Sequence, residues 1–396
     1  MKRVAIIGAG AAGCFCAAQL RSMAPEMAVT VFEAGSKPLA KVAITGGGRC
    51  NLTNDFQGIR SLSEAYPRGE RIMKRALKAF SNDDTIRWFS NNGVPCVLQP
   101  DHCWFPQSQD AMDVVRCLLR AMKGADIRLN SRITSIRPAA EENPTRGFTV
   151  NEEHFDAVVV TTGGAQRFPF LEGLGLEMVE PVPSLFTFNI QDAGLKALMG
   201  LVVEAQIGLQ GTSYKAEGAL LITDWGLSGP ATLKLSSYAA RELAEKGYKG
   251  TVGINWLDAN ENEVRGRLQE TSARNPQKQL SNTPLLQQRL WEHLIGRAGL
   301  RPDIRWAELG SKGLNRLTAV LTNDCYPLTG RSKFREEFVT AGGVGLSNVD
   351  LNTLECKKHP GLYFAGEVLD IDAITGGFNL QAAWSTAYLC AKDLAK

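Results

Sequence analysis

The sequence predicts an α/β fold in which a parallel β-sheet is interrupted by a long inserted segment. First, an apolar strand at 4–7 leads through a glycine-rich turn into a helix, and a second apolar strand follows at 29–32. Second, the apolar run 155–160 ends in Thr-Thr-Gly-Gly, which is typical of a buried parallel strand. Third, a strand, a glycine loop and a helix return at 361–394, after a region of different character.

The turn after the first strand has the spacing of a dinucleotide-binding motif. Its three glycines allow a sharp turn, close approach of a pyrophosphate and close packing of the helix on the sheet. The helix N-terminus directs N–H groups at the anion, and the acid that ends the second strand would accept hydrogen bonds from ribose hydroxyls. A glycine turn without a ligand is the alternative. The residues expected to bind the dinucleotide here are Gly8, Gly10, Ala11, Ala12, Gly13, Glu33 and Ala34.

A second glycine cluster follows the second strand. Three consecutive glycines cost backbone entropy on folding, so we expect the backbone to approach a flat or phosphorylated ligand closely at this point. The arginine and the asparagine that follow would supply polar partners, whereas a flexible surface loop is the alternative. The cluster contributes Thr45, Gly46, Gly47, Gly48, Arg49, Cys50 and Asn51 to the expected site.

Two segments in the middle of the nucleotide-binding part contribute further residues to the expected cofactor site. The buried strand 155–160 runs into Thr162 and Gly163, where we expect the sheet to face the cofactor. The segment 132–136 is predicted as a strand and contributes Ile133.

The C-terminal part carries another strand, turn and helix. In a flavoprotein, an acid at such a turn binds the ribityl chain, and the helix N-terminus stabilises negative charge on the reduced ring. Solvated loop acids are the alternative. The residues expected to bind the cofactor here are Gly366, Glu367, Asp370, Gly376, Gly377, Phe378, Asn379 and Leu380.

The pattern between these segments predicts an inserted region. Period-two stretches at 201–208 and 219–223 predict an antiparallel sheet, and 259–320 has a mostly helical and polar pattern. A helix is expected to begin at Pro230, because proline favours the first helical position. The nucleotide-binding sheet resumes near Val339. The predicted domains are a nucleotide-binding domain of 1–185 and 336–396, a β-rich insert of 186–257 and 321–335, and a helical subdomain of 258–320.

The composition narrows the function classes. The 396 residues include 44 basic and 41 acidic ones, and the net charge of +3 gives no reason to expect nucleic acid or an anionic membrane. Nine cysteines without C-x-x-C spacing and four scattered histidines predict reduced thiols and no metal site. The N-terminus imitates a secretory signal, but cleavage would remove the first strand of the nucleotide fold. We therefore expect a soluble cytoplasmic protein with a small-molecule substrate, no nucleic-acid partner and no membrane partner. The sequence does not predict its oligomeric state.

Several motifs together resemble one protein family. They are Gly8 to Gly13, Thr45-Gly-Gly-Gly-Arg-Cys-Asn-Leu-Thr-Asn54, Gly226-Leu-Ser-Gly-Pro230, Thr340-Ala-Gly-Gly-Val344, and Gly361-Leu-Tyr-Phe-Ala-Gly-Glu-Val-Leu-Asp370 with Gly376-Gly-Phe-Asn379. In them the chain resembles a bacterial FAD flavoprotein family that has bile-acid-reductase-like and aminoacetone-oxidase-like members, within the glutathione-reductase-type fold. The resemblance implies FAD bound by a Rossmann-like domain, which is split by a β-barrel-like part and a small helical part.

The chain departs from the pattern of this family at two places. Asp224 stands where the family usually has a histidine before Gly-Leu-Ser-Gly-Pro, so a role of that histidine does not transfer. The usual Gly-Arg-Val-Phe-Pro reads His102-Cys-Trp-Phe-Pro106. Compared with disulfide reductases of the wider fold, Cys50 has no second cysteine five positions later, where Asp55 stands, so we expect a packing residue and no dithiol chemistry.

The resemblance and the motifs predict an FAD-dependent oxidoreductase that moves a hydride between a small organic substrate and the flavin. NAD(P)H, a quinone or oxygen would be the electron partner. Without a second G-x-G-x-x-G, NAD(P)H would dock transiently over the ring. The insert would form the roof of the active site, with Asp224 and Trp225 as candidates. Catalytic residues stay unassigned, and the alternatives are a flavin-dependent tRNA-modifying enzyme and a non-catalytic flavin sensor.

Overall fold

The computed structural model describes residues 1–139, 147–331 and 339–396. The described residues form two compact units, which are those of Met1–Pro183 with Glu336–Lys396, and those of Ser184–Arg335. The return from the insert to the nucleotide-binding domain, expected between 335 and 336, lies outside the described residues. The predicted α/β fold, a Rossmann-like domain with an inserted β-barrel, is confirmed by the sheet topology.

The helices and strands follow one another in three runs. The first run is β1 (Arg3–Ile7), α1 (Ala11–Met23), β2 (Ala28–Phe32), α2 (Ala40–Gly48), β3 (Thr53–Asn54), α3 (Leu62–Ala65), α4 (Glu70–Ala79), α5 (Asn82–Asn91), β4 (Cys96–Leu98), β5 (Cys103–Pro106), α6 (Ala111–Ala121), β6 (Asp126–Arg128), β7 (Ile136–Pro138), β8 (Phe148–Val150), β9 (Glu153–Phe155), β10 (Ala157–Val160) and β11 (Met178–Ser184). The second run is β12 (Phe188–Ile190), α7 (Ala193–Lys196), β13 (Val202–Leu209), β14 (Lys215–Ile222), β15 (Gly226–Ser228), α8 (Pro230–Tyr238), α9 (Ala240–Glu245), β16 (Gly250–Asn255), α10 (Glu261–Arg274), α11 (Gln288–Arg297), α12 (Gly310–Asn323) and β17 (Asp324–Arg331). The third run is β18 (Val339–Val344), β19 (Leu362–Phe364) and α13 (Phe378–Leu394).

The core of the first unit is a five-stranded parallel sheet with the order β19-β10-β1-β2-β6. β1 is central, and its residues from Val4 to Ile7 are almost fully buried, as in sheets covered on both faces. From β1 the chain moves to β2 on one side, whereas β10 lies on the other side. The strand order thus reverses between β1 and β10. The crevice beyond the carboxyl ends of two such strands is where open α/β sheets bind their ligands.

Two largely buried helices, α1 and α13, pack against each other in the first unit. α1 begins after Gly10 and α13 begins after Gly377, and neither N-cap residue supplies a side-chain cap. First-turn N–H groups have no partner within their own helix. Both helix starts therefore offer backbone donors to an anionic or polar ligand.

One predicted strand is misplaced. We expected a strand at 132–136, but β7 begins only at Ile136 and pairs with β8 in an antiparallel sheet. The side-chain oxygen of Asn151 accepts hydrogen bonds from the N–H groups of Thr134 (2.9 Å) and Ser135 (3.3 Å). These N–H groups are thus held by a side chain, and Ile133 is buried outside any strand.

The second unit contains a closed barrel with the strand order β12-β15-β14-β13-β16-β17. α8 begins at Pro230, as predicted, and its N-cap Gly229 has a φ of 88° that only glycine adopts without strain. A Cβ at Gly229 would lie 2.7 Å from the carbonyl oxygen of Ala219, so side-chain space is absent as well. The helices α10, α11 and α12 follow the barrel strand β16.

Among the described residues, none of the helices combines the length and the apolarity that crossing a bilayer requires. The same residues contain no group of three or more histidine, cysteine, aspartate and glutamate side chains that is arranged to hold a metal ion.

Candidate functional site

In the first glycine turn, two glycines are tightly packed and one has open space beside it. A Cβ at Gly13 would lie 1.9 Å from the carbonyl oxygen of Gly8, and a Cβ at Gly8 would lie 2.6 Å from that of Thr161. A Cβ at Gly10, by contrast, would meet nothing within 4 Å. Gly8 and Gly13 therefore allow close packing of strand and helix, whereas the backbone at Gly10 is open to a ligand.

Glu33 is held directly against this turn. Its carboxylate accepts hydrogen bonds from the N–H groups of Ala9 at 2.9 Å and Gly35 at 2.7 Å. The backbone of Glu33 also bonds to the segment after β6, since its carbonyl accepts from the N–H of Ser131. Ala34 is exposed beside it. The acid, the glycine turn and the segment that leads to Ile133 are thus connected at one edge of the sheet.

The second glycine cluster forms a left-handed turn at the end of α2. Thr45 has an extended backbone, and Gly46, Gly47 and Gly48 have φ values of 59°, 67° and 80°. Gly46 packs beside Asn51, but a Cβ at Gly47 or Gly48 would meet nothing within 4 Å. Left-handed glycines of this kind leave backbone N–H groups accessible, which is how such turns bind anions and flat ligands.

Arg49 and Cys50 leave this turn in different directions. The Arg49 guanidinium stacks on the ring of Phe105 at 4.5 Å and donates through Nε to the carbonyl of Gly46 at 3.2 Å. Arg49 is exposed, so the cation stays available to a ligand. Cys50 is fully buried, and burial raises the pKa of its thiol. Cys50 therefore stays protonated, which suits a packing residue and disfavours a nucleophile.

The turn at 45–51 is tied to the start of α13. With its amide oriented to satisfy both neighbours, Asn51 accepts from the N–H of Gly377 at 3.1 Å and donates to the carbonyl of Thr53 at 3.0 Å. Asn54 donates to the carbonyl of Gly376 at 3.0 Å. Two glycine motifs separated by more than three hundred residues thus form one backbone surface.

The first residues of α13 are fixed mainly by backbone contacts. The Phe378 carbonyl accepts from the buried hydroxyl of Tyr66 at 3.0 Å. The Asn379 side chain accepts from the N–H of Ala373 at 2.9 Å and donates to the carbonyl of the same residue at 3.0 Å. The Asn379 amide therefore holds the preceding loop, so this residue and Leu380, which is half-buried, can offer their backbone to a ligand.

The third turn places an acid beside the end of β10. The Glu367 carboxylate accepts from the N–H of Thr340 at 2.7 Å, and a Cβ at Gly164 would lie 2.6 Å from the same carboxylate. Gly163 adjoins this carboxylate and Thr162 is exposed at this edge. Gly366 lies against α1, because a Cβ there would be 3.0 Å from the Cβ of Ala12.

The residues present fit an extended dinucleotide. Backbone positions open to a ligand occur at Gly10 and at Gly47–Gly48, and the two helix starts add N–H donors. The carboxylates of Glu33 and Glu367 stand at separate turns, where ribose and ribityl hydroxyls would need acceptors. Asp370 lies farther along the last turn, and its N–H donates to the carbonyl of Val344 at 3.0 Å.

The sequence did not reveal two supports of this site. Asp372 is completely buried and forms an ion pair with Arg68 through two hydrogen bonds. Gln381, also completely buried, accepts from the hydroxyls of Thr53 at 2.6 Å and Thr85 at 2.9 Å. An acid and a glutamine beside the C-terminal glycines were the available signals, but their partners are distant in sequence.

The two residues expected in the roof of the site belong to the second unit. Asp224 is exposed and Trp225 is half-buried, in the turn between β14 and β15. The carbonyl of Trp225 accepts from the N–H of Ile190 at 2.9 Å. Their part in a substrate site stays a prediction.

Comparison with known proteins extends over the whole chain. A family model described as the HI0933-like protein Rossmann domain matches residues 2–393. The ribosomal RNA dihydrouridine synthase of Escherichia coli (strain K12) is 31% identical over 418 residues, covering 98% of this chain and 97% of that protein. The protein of the same name from Haemophilus influenzae is 30% identical, covering 99% and 98%. The 3-dehydro-bile acid delta(4,6)-reductase of Clostridium scindens is 25% identical and covers all of both chains.

These relatives correct one expectation. We expected no nucleic-acid partner, because the net charge is only +3. Two relatives named for ribosomal RNA contradict that expectation. The net charge of a chain averages over its whole surface, so it does not report a local basic surface.

The resemblance inferred from the glycine motifs is confirmed by the family match and by the bile-acid reductase. The chain belongs to the HI0933-like Rossmann-domain family and is an FAD-dependent oxidoreductase.

Proposed function

We propose that this enzyme reduces the C5=C6 double bond of a uridine in ribosomal RNA and so forms dihydrouridine. The observation that carries the proposal is full-length similarity to two ribosomal RNA dihydrouridine synthases, at 31% and 30% identity. Because nearly all of each chain is aligned, both the nucleotide-binding unit and the insert have counterparts in those relatives.

The chemistry suggested by the relatives' names is shared. The uracil C5=C6 bond is conjugated to the C4 carbonyl, and the double bonds of a 3-dehydro-Δ4,6 bile acid are conjugated to the C3 carbonyl. In both cases a hydride adds to a carbon that is conjugated with a carbonyl, and a proton adds to the neighbouring carbon. For uridine, the hydride would go to C6 and the proton to C5, while one NAD(P)H is oxidised to NAD(P)⁺ and one proton is consumed.

In this proposal the protein supplies binding and orientation. Bound FAD would supply hydride transfer. The open backbone at Gly10 would bind the pyrophosphate, and Glu33 would accept from the ribose. Glu367 would accept from the ribityl chain, and the N-terminus of α13 would stabilise negative charge on the ring. The exposed Arg49 is a cation beside the second glycine turn, at 45–51.

The electron donor and the location complete the proposal. NAD(P)H is proposed as a transient donor, because the family resemblance includes reductases and the sequence has no second dinucleotide motif. A cytoplasmic location is proposed, because ribosomal RNA is the substrate class. A small-molecule reductase of conjugated ketones is the competing function, and it is favoured by the bile-acid reductase relative.

The test uses purified flavin-loaded protein, NADPH or NADH, and ribosomal RNA transcribed in vitro, which contains no modified nucleosides. Digestion to nucleosides and mass spectrometry should detect dihydrouridine that depends on enzyme and on the nicotinamide. The amount of nicotinamide oxidised without oxygen should match the amount of dihydrouridine formed. Absence of dihydrouridine with both naked RNA and ribosomal particles, together with reduction of a conjugated ketone, would replace this proposal with the small-molecule function.

A further inference from the structure

We propose that a basic groove in the first unit binds the phosphate backbone of the RNA substrate. We define the basic groove as the depression between α4 and the C-terminal half of α13. It has a volume of about 1120 Å³, and its lining includes six basic and only two acidic side chains. The inference rests on the proposed RNA substrate and adds where that RNA is held.

The sequence of α4 creates one wall of the groove. Arg71, Lys74, Arg75 and Lys78 recur at helical spacing and are all exposed. The opposite face of the same helix is apolar and buried in the core. One helix thus has an apolar side for the fold and a cationic side for solvent.

The cations of α4 are not neutralised by acidic side chains of the fold. None of the four forms an ion pair within 4.0 Å with a carboxylate among the described residues. Arg75 donates to the side-chain oxygen of Asn352, which is uncharged. Four like charges on one face repel each other, so an anionic partner would relieve a cost that the isolated protein bears.

The second wall adds charge from α13. Lys392 is exposed and lies over the ring of Tyr388. Lys396 pairs with Asp393 at 2.7 Å, and Asp393 also accepts from the hydroxyl of Tyr363 at 3.0 Å. One of the two acids in the lining is therefore already occupied, and the groove stays strongly cationic.

The N-terminus of α4 packs against the loop that precedes the C-terminal glycines of the candidate cofactor site. The N-cap of α4, Gly69, packs against Ile371, because a Cβ there would lie 2.8 Å from that side chain. The adjacent Arg68 forms the buried ion pair with Asp372. The loop that carries Asp370 and the C-terminal glycines is thus fixed to the start of the cationic helix. RNA lying along α4 would lead directly to this loop.

The dimensions favour a nucleic-acid backbone. Ten residues of α helix extend about 15 Å, and one strand of a duplex has a phosphate about every 3.4 Å along its axis. About four phosphates would therefore face the four cations. A concave groove without exposed large apolar side chains suits a polyanion better than a bilayer, since interfacial helices insert apolar residues.

The experiment compares two charge-matched variants of the flavin-loaded protein. The groove variant is Arg71→Gln, Lys74→Gln, Arg75→Gln and Lys78→Gln. The control variant changes four exposed cations of the second unit: Lys249→Gln, Arg267→Gln, Lys278→Gln and Lys312→Gln. Binding to in vitro transcribed ribosomal RNA is measured over a salt series, with bound flavin and thermal unfolding as checks of folding.

We expect the groove variant to lose at least tenfold in RNA affinity near physiological salt. The slope of log affinity against log salt should become smaller by about three, since each lost phosphate contact contributes about 0.7 to 0.9. The control variant should keep affinity and slope close to wild type, and both variants should keep their flavin.

The other outcomes separate the two proposals. If wild type binds RNA and forms dihydrouridine while the groove variant binds equally well, the groove assignment is wrong and the proposed function stands. If both variants weaken equally, the effect is one of total charge and the groove is again wrong. If the groove variant instead loses only binding to anionic phospholipid vesicles, the groove is a membrane surface. Failure of wild type to bind or modify RNA overturns both proposals.

Discussion

The carboxylate of Glu33 accepts a hydrogen bond from the N–H of Ala9 at 2.9 Å, so the acid that ends β2 is anchored to the first glycine turn. We predict that Glu33→Ala weakens FAD binding by at least tenfold and lowers stability by about 1–3 kcal/mol, because backbone donors lose their acceptor. Glu33→Gln, which keeps one acceptor oxygen, should fall between Ala and wild type. The measurements are flavin titration and urea unfolding, and an unchanged flavin content in Glu33→Ala contradicts the role.

The glycines of the first turn should separate folding from cofactor binding. Gly10→Ala is expected to fold normally, because its φ is −84° and a Cβ there meets nothing within 4 Å. It should nevertheless lose FAD, since the methyl group occupies the approach of the pyrophosphate. Gly13→Ala should cost about 3 kcal/mol or more, because its Cβ would lie 1.9 Å from a carbonyl oxygen. Normal FAD affinity of Gly10→Ala would place the pyrophosphate elsewhere.

Asp372→Asn should be strongly destabilising. Asp372 is completely buried and its partner Arg68 has only 14% of its side chain exposed, so the change removes the buried negative charge that faces this guanidinium. We expect a loss of about 3–5 kcal/mol in the free energy of unfolding. Glu270→Gln breaks the exposed pair with Arg274 and should change stability by less than about 0.5 kcal/mol. If urea unfolding gave equal losses of stability for Asp372→Asn and Glu270→Gln, burial would not explain the contribution of the Arg68–Asp372 pair.

His102 occupies a backbone conformation that favours glycine. Its φ is 65°, and the imidazole lies 3.1 Å from the Asp55 carboxylate. Replacement by Ala or Gly removes this contact equally, but only Ala keeps the left-handed strain. We predict that His102→Gly is more stable than His102→Ala by about 1 kcal/mol. Denaturant unfolding measures the difference in stability. If His102→Ala were the more stable variant, the backbone at this position would not be strained.

The cysteines should differ in reactivity according to burial. Burial raises the pKa of Cys50, so its thiol stays protonated where an ordinary thiol begins to ionise. We expect iodoacetamide at pH 8 to label the half-exposed Cys325 in the folded protein while Cys50 reacts only on unfolding. Peptide mass spectrometry reads both sites. Labelling of Cys50 in the folded protein at the rate of Cys325 would reopen a redox role.

The sequence predicted those parts of the fold that depend on local pattern. α1 covers Ala11–Met23, as the apolar run after the glycines indicates, and α8 begins at Pro230. The last helix begins at Phe378, directly after the glycine loop that the sequence predicts. Glycine spacing and apolar periodicity are local signals, and a helix start or a tight turn is decided within a few residues.

Features that depend on distant partners could not be predicted. The strand expected at 132–136 is displaced because the side chain of Asn151 holds the N–H groups of Thr134 and Ser135. The ion pair of Arg68 and Asp372 joins residues 304 positions apart. The cations of α4 recur at helical spacing in the sequence, but their place beside α13 depends on contacts between segments more than three hundred residues apart.

The order of strands in the parallel sheet has a consequence for biosynthesis. β19 is the last strand of the chain and pairs with β10, so the barrel unit is synthesised between two neighbours of one sheet. The nascent chain can form the turn at Gly8 early, but Gly377 reaches Asn51 only after the barrel has left the ribosome. The backbone surface that the two glycine motifs share is therefore completed only after the barrel strands have been synthesised, and long-range pairing of this kind slows folding.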